Sequence, residues 1–207
     1  MTEGTVTEPV YFSMLRNDMK LSTVTVAIYP GEHSDPRHVV KTAETKVKDL
    51  ARRARKGLLG MDEPAKYDHV WAVVDTDVAI RQGFWNDVVQ LAAARNIKLA
   101  HSTPCFEFWL LLHLVGPTTR SDLNDGETAK AAVKTVLGQE YSTSEKLANE
   151  VMPQFIARWP DAVRAAGVVR RNHENAGTPA PANPSTIVDL LVCTMNDAAQ
   201  PTRRKST

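Results

Sequence analysis

Two aspartates, Asp75 and Asp77, stand one residue apart directly after the apolar run Val70-Trp71-Ala72-Val73-Val74. A short apolar run bounded by polar residues predicts a buried strand of a parallel sheet. Side chains alternate along a strand, so its continuation through this pair puts Asp75 and Asp77 on one face and Thr76 on the other. In open α/β sheets ligands bind outside the carboxyl ends of the strands. Two carboxylates side by side there repel each other unless a cation lies between them. The cations suited to oxygen ligands of this kind are Mg²⁺ and Mn²⁺. The alternative is local, because aspartate is favoured where strands end and chains turn.

Other residues could join that chemistry. Glu3, followed by Gly4, could point into the same cleft if a strand holds it; the alternative is an unstructured terminus. Glu107 stands between Phe106 and Phe108 in a very apolar segment, where a carboxylate is costly unless exposed, paired or metal-bound. It either reaches the ligand-binding edge of the sheet or complements the positive end of a helix. His113 reads as packed and hydrogen-bonded, and His69 and His101 as structural. Arg52, Arg53, Arg55 and Lys56 form a cationic patch suited either to a helix C-terminus or to nucleic-acid phosphates. Arg170 and Arg171 form a second basic pair.

The elements that must position these groups follow from periodicity and punctuation. Glu8-Pro9 starts a helix with Tyr11, Phe12 and Leu15 at helical spacing. Thr23–Ile28 is β-branched and short, hence a strand. Asp35-Pro36 opens a long helix to about Lys56. Phe84–Arg95 is an amphipathic helix, Ile97–Ala100 a short strand, His101–Pro104 a turn and Cys105–Leu114 a helix. Strand and helix patterns alternate, which indicates βαβ units and a mostly parallel sheet. After Gly116 the patterns are helical, over Gly126–Leu137, Ser144–Gly167 and Ser185–Met195, with a Pro-rich connection at Ala176–Pro184.

Bulk properties narrow the classes. The 207 residues are 43% hydrophobic and carry a formal net charge of +1. That suffices for a full core and excludes a strongly basic footprint over the whole chain. Cys105 and Cys193 lie far apart and form no zinc motif, which points to a reducing compartment. The opening MTEGTVTEPVYF lacks the basic and apolar regions of a signal peptide, and no apolar run is long enough to span a membrane. The expected location is the cytoplasm.

Four segments together resemble the RloB-like family. Glu3-Gly4, Thr7-Glu8-Pro9 and Tyr11-Phe12 are similar to its opening E-G-x-x-T-E-P-x-Y-F. Asp75 and Asp77 match an apolar strand ending in D-x-D. Thr103–His113 resembles a segment N-P-C-F-E-L-W-L-L-L-H, and Asn183–Thr186 a late N-P-S-T. The resemblance runs from Glu3 to about Leu191, and the P-C-F-E-x-W-L-L-L-H block is its most specific part.

That resemblance implies an α/β fold of Toprim-like, Rossmann-like type, a mostly parallel sheet flanked by helices with a helical C-terminal part. Residues 1–116 would form the α/β core, 117–195 a helical part packed on it, and 196–207 a flexible basic tail. It implies a bacterial antiphage or abortive-infection protein, encoded beside restriction–modification genes, that cleaves DNA or RNA phosphodiesters with Mg²⁺ or Mn²⁺. Its partners would be nucleic acid and a defence-system protein, with no membrane. Glu3 would be general base or metal ligand, Asp75 and Asp77 metal ligands, and Glu107 a supporting carboxylate of the cleft. Arg52, Arg53, Arg55 and Lys56 are the candidate nucleic-acid contacts.

Two departures from the family pattern stand out. Relatives carry an apolar strand directly before E-G, whereas here Glu3 lies two residues after Met1, so the site is expected to be incomplete or completed upstream. Relatives also place a lysine after the tyrosine matched by Tyr141; here Ser142-Thr143 follow, and Lys146 is the expected substitute. Two other readings are carried. One is a catalytically degenerate defence component that binds nucleic acid or a partner. The other is a haloacid-dehalogenase-like phosphatase, in which Asp75 would attack phosphorus. Against the latter, Val78-Ala79 replaces the usual Gly-Thr and no later acidic pair is evident.

Overall fold

The computed structural model describes residues 1–21, 28–29, 35–61, 63–141 and 144–199. Most of the expected strand Thr23–Ile28, and the basic tail from residue 200 onward, lie outside the described residues. The described elements run in the order α1 (Thr7–Asp18), α2 (Pro36–Arg55), β1 (Trp71–Asp75), α3 (Asp77–Arg81), α4 (Trp85–Ala94), β2 (Lys98–Thr103), α5 (Phe106–Val115), α6 (Gly126–Leu137), α7 (Glu145–Ile156), α8 (Trp159–Asn175), β3 (Ser185–Thr186) and α9 (Val188–Ala199). This is a mixed α/β fold.

The sheet is small, with strand order β1-β2-β3. β1 pairs with β2 in parallel, from Trp71↔Lys98 to Asp75↔Ser102, and β2 pairs with β3 antiparallel. The described sheet is therefore mixed rather than mostly parallel. β2 also runs three residues past the expected end at Ala100, because His101, Ser102 and Thr103 find partners in the ladder and beside it. Ser102 Oγ lies 2.8 Å from Thr186 Oγ1, and Thr103 Oγ1 accepts from Thr76 Oγ1 at 2.8 Å. The two polar residues of β3 carry no hydrophobic alternation, which is why sequence patterning finds no strand there.

Alternation along β1 separates two hydrophobic layers. Ala72 and Val74 pack with Val39, Val40 and Ala43 of α2 and Trp85, Val88 and Ala92 of α4. Val73 and Ala100 pack in the larger cluster, with Tyr11, Phe12 and Leu15 of α1 and the buried side chains of α5 to α9. Residues after 116 thus share one core with α1 and α5. Asp35 caps α2 by accepting the Arg37 N–H at 2.9 Å, and Pro36 follows at the first helical position. α5 is buried from Phe106 to His113, so it has no polar stripe and its sequence is apolar all round.

Several helix boundaries differ from expectation, α8 among them in running on past Gly167 to Asn175. The segment Ser144–Gly167 is two helices, because Pro160 has no N–H to donate back to Ile156 and instead takes an early position in α8. α9 starts at Val188, after β3, and runs to Ala199, so the first four residues of the expected tail are helical.

Candidate active site

Glu3 is placed by backbone pairing across the open edge of β1. Val73 N–H donates to Met1 O at 2.8 Å and Glu3 N–H to Val73 O at 3.0 Å, which makes Thr2 a parallel bridge partner of Val73. Thr2 N–H in turn donates to Tyr29 O at 3.0 Å. The two residues before Glu3 thus pair with β1 and hold Glu3 beside the strand. Its carboxylate then turns toward the end of β1, where Oε2 accepts the Asp75 N–H at 3.0 Å.

β1 ends at Asp75. Thr76 has helical backbone angles and Asp77 begins α3, so strand alternation does not carry through the pair. The expected outcome arises by another route: Asp75 and Asp77 line one pocket while Thr76 is buried against Thr103. The loop from β2 into α5 closes over this turn, with Thr76 N–H and Asp77 N–H both donating to Pro104 O at 3.2 Å. Phe106 N–H, in the first turn of α5, donates to Asp75 Oδ1 at 2.8 Å, where a carboxylate complements the positive helix end.

Sequence patterning marks Glu8 only as a helix start and part of the family opening, but the fold brings it into the carboxylate cluster with Glu3, Asp75 and Glu107. It is buried in the first turn of α1, and its Oε1 accepts the Gly4 N–H at 3.0 Å. A Cβ at Gly4 would collide with the Glu8 carboxylate, so glycine lets the two approach. Glu107 is buried in the first turn of α5 and acts electrostatically on Glu8, Asp75 and the Cys105 thiol. The clue to Glu8 was its place in the E-P that follows Glu3-Gly4, a carboxylate one helical turn from the glycine.

Glu3, Glu8 and Asp75 are crowded and poorly solvated, which shifts their protonation. Burial, together with the charges of Glu8 and Asp77 and against the Asp75 N–H, pushes Glu3 up to about 8. Burial and the neighbouring Glu107 push Glu8 up to about 7. Burial, then Glu3, Glu8 and Glu107, hold Asp75 well above the usual carboxylate range. Clustered buried carboxylates that resist ionisation mark functional sites more often than structural ones.

A pocket of about 300 Å³ opens at Asp75 and Asp77 and is lined further by Arg81, Cys105, Asp125, Gly126, Glu127 and Lys130. Of the expected site carboxylates, Asp75 and Asp77 line it, and Glu3 and Glu107 do not. Arg81 and Lys130 escaped sequence reading because neither lies in a local motif. A larger, mostly apolar cavity of about 600 Å³ lies near the start of β1 between α2 and α9, away from the cluster.

The donor chemistry fits a hard divalent cation. The acidic donors of the cluster are all carboxylate oxygens, and a cation would offset the crowding of like charge there. Among the described residues no three His, Cys, Asp or Glu side chains converge as a ready-made metal cage. Mg²⁺ does not require one, since it commonly takes one or two carboxylates and completes its shell with water and substrate phosphate.

The other sequence candidates lie elsewhere. Arg52 pairs with Asp49, Arg53 pairs with Glu63 and donates to Leu58 O, and Arg55 donates to Ala51 O. With Lys56 they sit at the C-terminus of α2 and do not line the pocket. Arg170 is committed to the buried Asp189 by two bonds of 2.6 and 2.7 Å, so it is structural. Lys146 is exposed on α7, 4.0 Å from Glu150, and does not line the pocket either. His113 is buried: Nδ1–H donates to Trp109 O at 2.9 Å, which leaves Nε2 to accept from the Tyr11 hydroxyl at 3.1 Å. Among the described residues no helix is long and apolar enough to cross a membrane.

No curated protein and no solved structure matches this chain. One family, described as RloB-like protein, matches residues 1–195. The match takes in Glu3-Gly4, Glu8, the Asp75–Asp77 pair and Glu107, and the chain belongs to the RloB-like protein family.

Proposed function

We propose that this chain is a Toprim-type, Mg²⁺- or Mn²⁺-dependent nuclease that cleaves DNA or RNA phosphodiesters in bacterial antiphage defence. One observation carries the reading. Glu3, Glu8, Asp75 and Glu107 come from three separate parts of the chain and cluster where β1 ends, beside a pocket lined by Asp75 and Asp77. Structural needs do not explain burying so many like charges together, whereas a cation-binding reaction centre does.

In this reading Asp75 and Asp77 would hold the cation at the pocket, with Glu3 beside them at the end of β1 as a further ligand or general base. When bound, it withdraws charge from the scissile phosphate and makes water a stronger nucleophile. Asp75 is oriented by the Phe106 N–H and Asp77 by its position at the start of α3. Glu3 has one carboxylate oxygen engaged by the Asp75 N–H, and the other, with no hydrogen bond among the described residues, would ligate or take a proton as general base. Its raised proton affinity suits that second role. Glu8 and Glu107 back Asp75 and set the negative potential of the site. The alternative, a catalytically degenerate component that binds nucleic acid or a partner, is less favoured here because the Thr2–Val73 bridge holds Glu3 next to Asp75.

The test is turnover of single- and double-stranded DNA and RNA in Mg²⁺ or Mn²⁺, wild type beside Asp75→Asn. Metal-dependent cleavage by the wild type alone supports the reading. No turnover of any nucleic acid by a wild-type protein that binds metal overturns it.

A further inference from the structure

Only part of the pocket lining is acidic. Arg81 ends α3 and Lys130 lies on α6, about one turn in from the Asp125 cap. Neither forms an ion pair among the described residues, in contrast to Arg52 and Arg53 on α2. Asp125, the cap of α6, accepts the Thr128 N–H at 2.9 Å and feels the charge of Arg81 without forming an ion pair with it. Burial works against charge on Lys130, but Glu107, Glu127 and Asp75 outweigh it and raise its proton affinity, so its ammonium stays charged. Two available cations thus face the same space as the two aspartates that would hold the metal.

We propose that Lys130, with Arg81, binds a backbone phosphate of the nucleic-acid strand in this pocket and sets its position against Asp75 and Asp77. The proposal rests on the nuclease reading and replaces the α2 patch as the phosphate contact at the site. The reason is electrostatic. An anion entering a pocket lined by Asp75, Asp77, Asp125 and Glu127 is repelled except where a free cation stands, and Lys130 and Arg81 are the cations of that lining. A lysine serves as a point charge for phosphate, and arginine adds paired donors. Such contacts fix register on the strand and carry no base preference.

The experiment is binding of a fluorescein-labelled single-stranded oligonucleotide in Ca²⁺, across a salt series. It compares wild type, Lys130→Ala, Lys130→Arg, Arg81→Ala and the triple variant Arg52→Ala/Arg55→Ala/Lys56→Ala. Mn²⁺ titration of each protein is read in parallel. The expected result is that Lys130→Ala and Arg81→Ala weaken oligonucleotide binding about tenfold, equally for unrelated sequences, and lower the salt slope by roughly one. Mn²⁺ binding is not weakened, because losing a cation from the lining removes repulsion from the metal site, and Lys130→Arg restores most of the oligonucleotide binding. Wild-type affinity in Lys130→Ala, or a larger loss in the α2 triple variant, overturns the inference and leaves the metal site standing. A wild-type protein that takes up Mn²⁺ but no oligonucleotide also overturns it. Binding of neither overturns the nuclease reading itself.

Discussion

The Glu3 carboxylate accepts the backbone N–H of Asp75 at 3.0 Å, across 72 residues of sequence. The bond ties the extended opening of the chain to the end of β1. It also brings two carboxylates together, because the Asp75 side chain leaves the same backbone position toward Phe106 N–H.

Replacing Glu3 by glutamine separates the bond from the charge. The amide oxygen can still accept the Asp75 N–H, so the fold is retained and cleavage falls. The wild-type acid resists ionisation, with its proton affinity moved from 4.5 to about 8. A carboxyl raised on folding contributes stability that is fully present below its unfolded value and is lost as pH rises through the folded one. Glu3→Gln has no such loss. Its melting temperature in EDTA should therefore overtake that of wild type progressively between about pH 4.5 and about pH 8. A pH-independent difference between the two proteins refutes this.

Asp75→Asn should abolish Mn²⁺ binding in a calorimetric titration and reduce nuclease turnover below detection. The asparagine oxygen still accepts the Phe106 N–H, so circular dichroism should stay close to wild type, and in EDTA melting should rise relative to wild type with pH, as for Glu3→Gln. Retained Mn²⁺ affinity would place the cation elsewhere.

Tyr11→Phe tests a bond inside the core. Its hydroxyl satisfies His113 Nε2, and both residues are buried. Removing it leaves a buried acceptor unpaired, at a cost of about 1–3 kcal/mol in urea unfolding. Metal binding should be unchanged, since neither residue lines the pocket.

Asp189→Ala should be more damaging. Asp189 is buried and takes both guanidinium bonds of Arg170, which also donates to Thr186 O at 3.0 Å. Loss of one partner of a buried pair costs about 3–5 kcal/mol. Pairing it with Arg170→Met should recover part of that loss, because no charge is then left buried alone. Equal stability of the single and double variants would show that the pair is not coupled.

What was legible in the sequence was local. Asp35-Pro36 announces α2 because a cap and a fixed φ act within one turn. The apolar block around Glu107 announces a buried helix, and Val70–Val74 a strand with acid at its end. The family pattern added Glu3 to that list. The sequence could not say that Asp77 opens a helix, since Thr76 turns there only because Pro104 O receives two backbone N–H groups from the turn. Nor could it separate cations by role. Arg53, Arg170 and Lys130 are all cations in the sequence, but one meets Glu63, one meets Asp189, and one faces the pocket. Glu8 was hidden for the same reason. Periodicity and capping are set by neighbours within a few residues, whereas the clustering of charges depends on strand pairing and helix packing between distant segments, which tertiary structure alone decides.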